Sequence, residues 1–136
     1  MINAEFEEKI NNILAGDTRF PAQAYELISD AVAFLSARRR QNGDTGHVSG
    51  KELVEGVLNF VANEYGVLSA VLLQRWKVCK AADVGEVVFN MVGVGLLAVS
   101  EEDSRQDFEF ELDLIDALHQ VFAVDAGRRR CIPTIV

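Results

Sequence analysis

The residues best suited to chemistry stand together in "GHVSGKELVEG", residues 46–56, which places a histidine, a serine and two glutamates among glycines. An imidazole near two carboxylates is a metal-ligand set, so His47, Glu52 and Glu55 are the candidate ligands of this chain. The stretch lacks the second histidine of an H-E-x-x-H helix, the spacing that identifies a zinc site. We therefore expect no bound metal, and a site centred on His47 is kept as an alternative.

A second interpretation of the same stretch is the start of a helix. Ser49 and Glu52 stand three residues apart just before an apolar run, which is the capping-box pattern. In such a box the serine hydroxyl accepts from the backbone N–H of the third helical residue, and the glutamate reaches back to the serine N–H. A looser version begins at Asp83, with Glu86 three residues later. Capping therefore explains the serine and the first glutamate without a ligand.

Catalysis needs a nucleophile beside a base, and the sequence shows no such pair. His47 and His119 are the two histidines, and His119 stands beside Leu118, where a structural role is expected. There is no phosphate-binding loop and no G-x-S-x-G elbow. "GVGLLA", residues 93–98, matches a loose dinucleotide fingerprint, but the segment before it is predicted to be a helix rather than a strand. We expect no catalytic residue, no cofactor and no enzymatic activity.

The charge distribution carries more information. The formal net charge is −8, and eight acids between Ser100 and Asp116 stand against a single cation, Arg105. This acidic turn is predicted to be a solvated loop or a docking patch for a basic partner, such as the arginine run of another copy. The candidate interaction surface comprises four of these acids and the arginine run that ends the second predicted helix: Glu101, Glu102, Asp103, Asp107, Arg38, Arg39 and Arg40.

The composition indicates one cytoplasmic domain. At 136 residues the chain is long enough for one domain with its own core. Its hydrophobic share of 49% indicates a dense core or an apolar surface that a partner covers. Cys79 and Cys131 match no metal or redox spacing, and the acidic N-terminus lacks the basic segment of a signal peptide. The longest apolar run, residues 84–99, is interrupted by Glu86 and Asn90 and is shorter than the roughly 20 residues of a membrane span.

Hydrophobic periodicity predicts helices over residues 3–14, 21–40, 51–65, 67–76, 83–92 and 113–122. Gly66 alone separates the third and fourth helices, so they should meet at a sharp corner. "LLAV" and the alternating "FEFEL" predict two strands of a hairpin at about 96–112. Three helices followed by a hairpin is the order of a winged-helix unit. The predicted fold is mainly α (α+β), a single helical domain over 1–126 in a winged-helix-like arrangement, followed by a basic tail at 127–136.

These patterns favour a non-catalytic cytosolic module that binds a protein partner or itself, the latter as a homodimer. No nucleic-acid or membrane partner is expected from an acidic chain. An alternative is a transcription-type regulator with a winged-helix fold. The predicted wing is acidic and would repel DNA, so such a regulator would use Arg38–Arg40 or the basic tail. A second alternative is a small metal- or ligand-binding protein centred on His47.

Four segments together resemble a small family of bacterial proteins that is typical of planctomycetes and verrucomicrobia: "DTRFPAQAY", "GHVSGKELVEG", "DVGEVVFNMVGVGLL" and "SEEDSRQDF". The resemblance spans roughly residues 3–118 and implies no activity, because none is assigned to the family. It implies that certain polar, glycine and apolar positions belong to a shared pattern: His47, Ser49, Gly50, Glu52, Gly56, Gly85, Glu86, Asn90, Gly95, Leu96, Glu102, Asp103, Asp107 and Phe108. Gly93, where the family has a glutamate, and the arginine-rich tail depart from that pattern.

Overall fold

The computed structural model of the chain describes residues 4–43, 48–97 and 105–130. This part of the chain forms six α-helices: α1 (Ala4–Gly16), α2 (Ala22–Gln41), α3 (Gly50–Tyr65), α4 (Ser69–Arg75), α5 (Ala81–Gly93) and α6 (Leu114–Arg130). Two 3₁₀ turns, Gly66–Leu68 and Arg105–Phe108, lie between them. The mainly helical class predicted from the sequence is confirmed.

Helices α2 and α3 form an antiparallel pair with a close approach in the middle. A Cβ built on Gly56 would lie 3.1 Å from a methyl carbon of Leu35, so the absence of a side chain on the glycine leaves room for the leucine. Phe34 packs on Phe60 with ring centroids 5.7 Å apart. The pair places the arginine run at the end of α2 beside the beginning of α3.

The chain turns sharply between α3 and α4, as the sequence predicts. Gly66 has a φ of 58°, a conformation that favours glycine. The buried Ser69 hydroxyl donates to the carbonyl of Val61 over 2.8 Å. In a straight helix these two residues would be about 12 Å apart along the axis. The serine therefore satisfies a carbonyl at the end of α3 from the first residue of α4, and it fixes the corner.

The start of α5 differs from the prediction, while its end agrees with it. Asp83 is not the N-cap but the third residue of the helix, and its carboxylate accepts from the backbone N–H groups of Cys79 and Lys80, each over 3.0 Å. At the other end, Gly95 has a φ of 80°, and the N–H of Leu96 bonds to the carbonyl of Met91 over 2.9 Å. The glycine thus closes the helix, the role expected for it.

The hairpin predicted at about 96–112 is not shown. Of this stretch the structure describes residues 96–97 and 105–112, and none of them lies in a strand. Instead, the 3₁₀ turn Arg105–Phe108 packs against two helical glycines. A Cβ on Gly50 would lie 2.8 Å from the carbonyl oxygen of Asp107, and one on Gly85 would lie 2.6 Å from the Cβ of Phe108. The packing of this turn against α3 and α5 takes the place of strand pairing. Since the hairpin is not shown, a winged-helix arrangement is not shown either.

The chain after this turn retains the predicted alternation but pairs elsewhere. Glu109 and Glu111 are exposed, while Phe110 and Leu112 are half-buried. A single antiparallel bridge joins Asp113 to Lys80, supported by backbone bonds from Ala81 N to Leu112 O and from Leu114 N to Cys79 O. The period-two pattern predicted which side chains face inward. It did not predict that the α4–α5 connection would be the pairing partner.

Helix α6 packs against α4 and α3 and runs past its predicted end at residue 122 to Arg130. The run Arg128–Arg130, assigned to a tail at 127–136, therefore belongs to the helix, while residues 131–136 lie outside the described part of the chain. The largest fully buried side chains come from α2, α4, α5 and α6: Tyr25, Ile28, Leu73, Met91, Leu114 and Leu118. One core thus joins these helices.

Among the described residues, one helical run passes the length and composition test for crossing a membrane. It is Gly50–Arg75, which comprises α3, the 3₁₀ turn and α4. Core helices of soluble proteins pass the same test, so the criterion alone is weak. Only one third of its most apolar stretch is buried in the structure. Its large apolar residues that are exposed are Val67, Leu68 and Val71.

Candidate functional site

The three candidate metal ligands are not brought together in the described residues. His47 lies outside them, and Glu52 and Glu55 turn to different neighbours. Glu52 bonds to Arg39 of α2, whereas Glu55 lines a groove that α3 forms with α6. In the part of the chain that the structure describes, no three histidine, cysteine, aspartate or glutamate side chains are grouped to hold a metal ion.

The helix-start interpretation of the same stretch is confirmed. Ser49 is the N-cap of α3, and its hydroxyl accepts from the backbone N–H of Glu52 over 3.1 Å. Burial raises the pKa of Glu52, but hydrogen bonds from Arg39 and Ser49 outweigh this effect and hold it below its usual range. The glutamate therefore caps α3 and ties it to the end of α2.

The candidate interaction surface is only partly described. Glu101, Glu102 and Asp103 lie outside the described residues, and Asp107 is exposed. The arginine run of α2 does not act as one patch. Arg39 turns inward to Glu52 and keeps 16% of its side chain exposed, while Arg38 and Arg40 remain exposed.

Sequence reasoning missed a polar cluster that joins the α1–α2 connection to α5. Arg19 bonds to both carboxylate oxygens of Asp17, the closest contact being 2.7 Å, and its Nη2 also donates to Glu86 over 3.0 Å. The amide of Asn90 donates to Asp17 and to the hydroxyl of Tyr25, each over 3.1 Å. Five polar side chains from three segments are thus bonded into one network.

The electrostatics of this cluster are those of a structural network. The hydrogen bonds from Arg19 hold the pKa of Asp17 well below its usual range, and Asp17 and Glu86 raise the pKa of Arg19. Burial raises the pKa of Tyr25, so its phenol stays protonated at neutral pH. A general base needs a carboxylate or imidazole that can accept a proton near neutrality. The carboxylate of Asp17 cannot do so, because it is held ionised by its bonds.

Cys79 is equally unsuited to nucleophilic chemistry. Its side chain is half-buried, and burial raises the pKa of its thiol, with Asp83 and Asp113 acting in the same direction. The thiolate is the reactive form of cysteine, so a raised pKa lowers its reactivity. The described cysteine is therefore a packing residue.

The outer face of α4 is the feature of the described residues that the fold does not use. Val67, Leu68 and Val71 keep 63%, 59% and 59% of their surface exposed. The opposite face of the same segment, with Ala70 and Leu73, is buried. Residues three and four apart lie on one side of a helix, so these three apolar side chains form one surface. We call it the α4 face.

A groove lies nearby, between α3 and α6. It has a volume of about 340 Å³ and is lined mainly by apolar residues, among them Leu58, Ala62 and Leu118. Val121 at its edge is 52% exposed. The apolar surface of this protein therefore lies on the helices that border α4 as well as on α4 itself.

No protein-family model matches the chain, and neither a curated protein nor a solved structure shows a significant match to it. The resemblance to the planctomycete and verrucomicrobial family stays a prediction.

Proposed function

We propose that this chain is a non-catalytic interaction module of the cytoplasm, and that it binds a protein partner through the α4 face. The observation that carries the proposal is the exposure of Val67, Leu68 and Val71, in the 3₁₀ turn and the first turn of α4, while the other side of α4 is buried. Single exposed apolar residues are normal, but adjacent ones on one face are typical of interaction sites.

The bonding of the polar side chains among the described residues also supports a non-catalytic function. Asp17, Arg19, Glu86 and Asn90 bond to one another, and Glu52 bonds to Arg39. Their chemistry is used to connect segments of the fold. An activity that depends on a reactive side chain has no group to use in these clusters.

Photo-cross-linking in the cells that produce the protein tests this function. A photoreactive amino acid in place of Val67, at the edge of the α4 face, should form an adduct with a protein. The same amino acid in place of Asn12, which is exposed on α1, is the matched control and should form none. The proposal fails if no adduct arises from Val67, or if both positions give the same adducts.

A regulator that binds DNA, with the winged-helix arrangement predicted from the sequence, remains a second proposal with less support. Arg38 and Arg40 are exposed at the end of α2, but Arg39 is engaged by Glu52. Binding of duplex DNA that weakens steeply with salt would favour it. The reversal Arg38→Glu should then abolish that binding, whereas Lys51→Glu on α3 should not.

A further inference from the structure

We infer that the partner of the α4 face is a second copy of this chain, placed antiparallel about a two-fold axis so that Leu68 meets Val71 and Glu64 meets Arg75 of the other copy. The inference rests on the proposed function, because it uses the same face. It adds the identity and the orientation of the partner. The charges that flank the face support both.

Exposed side chains of opposite charge flank the α4 face along the chain. Glu64 is exposed in the last turn of α3, just before the corner at Gly66, and Arg75 is exposed in the last turn of α4. Neither side chain forms an ion pair with another of the described residues. Each therefore offers its full charge to a partner that approaches the apolar residues between them.

The sequence around α4 is also a place where the general repulsion between two copies of an acidic chain is reduced. Between Gly66 and Ala82 there are three cations, Arg75, Lys77 and Lys80, and no acid, although the whole chain carries a net charge of −8. Local charge thus offsets part of the general repulsion at this face.

The charge order selects the antiparallel arrangement. If two α4 helices ran parallel, Arg75 of one copy would lie beside Arg75 of the other, and the two like charges would repel. In the antiparallel arrangement Arg75 of each copy lies beside Glu64 of the other. A two-fold axis makes this contact occur twice, since each surface then binds its own copy.

The size of the α4 face predicts a weak dimer. A stable interface covers about 800 Å² of each partner, which needs many more residues than three. We expect a dissociation constant on the order of 100 μM, typical of small transient contacts. Such a dimer would form only at high local concentration.

Sedimentation equilibrium of the full chain, from about 10 μM to 1 mM, tests the inference. The expected result is a reversible dimer that the double variant Leu68→Glu/Val71→Glu abolishes. Each reversal, Glu64→Lys or Arg75→Glu, should raise the dissociation constant about three- to tenfold, because two ion pairs become repulsive. The combined variant should restore the dimer. The control reversals Glu8→Lys on α1 and Lys51→Glu on α3 should leave it unchanged.

The other outcomes overturn the inference in different ways. A monomer at 1 mM overturns it but leaves the proposed function intact if Val67 still cross-links to a different protein. A dimer that survives Leu68→Glu/Val71→Glu forms through another surface, and a combined variant that fails to restore association overturns the antiparallel arrangement. Binding to neutral phosphatidylcholine vesicles that requires Leu68 and Val71 would assign the face to a membrane and overturn the proposed function as well.

Discussion

The side of α5 that faces the α1–α2 connection and the outer side of α4 use their residues in opposite ways. On α5, Glu86 and Asn90 are polar and are bonded to other parts of the chain, while Gly85 gives room to Phe108. On the α4 face, Leu68 and Val71 are apolar and lie mostly in solvent. The polar residues therefore serve the fold, and the exposed apolar ones are those that the fold leaves for a partner.

This difference shows why a binding surface made of apolar residues is hard to recognise in a sequence. Polar residues near glycines attract attention because they resemble sites, as "GHVSGKELVEG" does. Valine and leucine at helical spacing look like core. Only the structure distinguishes a buried stripe, such as that of Ala70 and Leu73, from an exposed one.

The largest effect on stability is expected at Gly85 of α5. The substitution Gly85→Ala places a Cβ 2.6 Å from the Cβ of Phe108, which is fixed to its backbone and cannot rotate away. We expect a loss of about 2–3 kcal/mol in the free energy of unfolding, measured by chemical denaturation. Gly93→Ala in the same helix is the control, because its Cβ would meet nothing within 4 Å and should not destabilise. Equal stability of the two variants would show that the turn does not pack here.

The next effect concerns the polar cluster. Asn90→Ala removes both hydrogen bonds of its amide and leaves the buried hydroxyl of Tyr25 without that donor. We expect a loss of about 1–3 kcal/mol in the free energy of unfolding. Asn63→Ala, at an exposed position of α3, should cost less than about 0.5 kcal/mol. If Asn90→Ala were as mild as its control, the cluster would not contribute to the fold.

Acid should weaken the same cluster. The folded pKa of Asp17 is depressed, so its contribution to stability is fully present above the unfolded pKa near 4 and is lost as pH falls below that value. Asp17→Asn should therefore lower the melting temperature at pH 7. The difference between the melting temperatures of the variant and the wild type should become smaller as the pH falls from 5 to 2.5. Asp30→Asn, exposed on α2, is the control. A difference that stays constant with pH would contradict the role assigned to Asp17.

A smaller effect, this time a gain in stability, is expected at Lys77, just after α4. Lys77 has a φ of 64°, a left-handed conformation that costs a residue with a side chain roughly 1–2 kcal/mol. Lys77→Gly should relieve this strain and raise the free energy of unfolding by about 1 kcal/mol. Gln74→Gly, within the helix, should lower it by about the same amount. A loss of stability in Lys77→Gly would show that the lysine side chain itself supports the fold.

The sequence predicted much of the fold because its local signals are strong. Ser49 before an apolar run, Gly66 between two helices and Gly95 after a third predict where helices begin, turn and end. The period-two pattern around Phe110 predicts a hairpin that the structure does not show. Alternation indicates an extended segment, but it does not reveal which other segment lies beside it. That partner is set by the packing of Phe108 on Gly85, a contact between positions far apart in the sequence.

The functional features were less predictable. Asp17 and Arg19 stand two residues apart in a loop, and nothing in that spacing indicates that Asn90 will join them. The sequence places Arg39 in the candidate interaction surface, and only the pairing of α2 with α3 brings it to Glu52. The outward direction of Leu68 depends on the angle between α3 and α4. The sequence predicts a corner at Gly66 but not that angle.

The most direct test of the account combines folding and binding in one protein. The photoreactive amino acid at position 67 is introduced into the wild type and into Leu68→Glu/Val71→Glu, and both are also melted. The account predicts that the double variant keeps the melting temperature of the wild type, because both side chains are exposed, and that it loses the adduct. An adduct that persists in the double variant, or a variant that unfolds, would contradict the claim that the α4 face serves a partner rather than the fold.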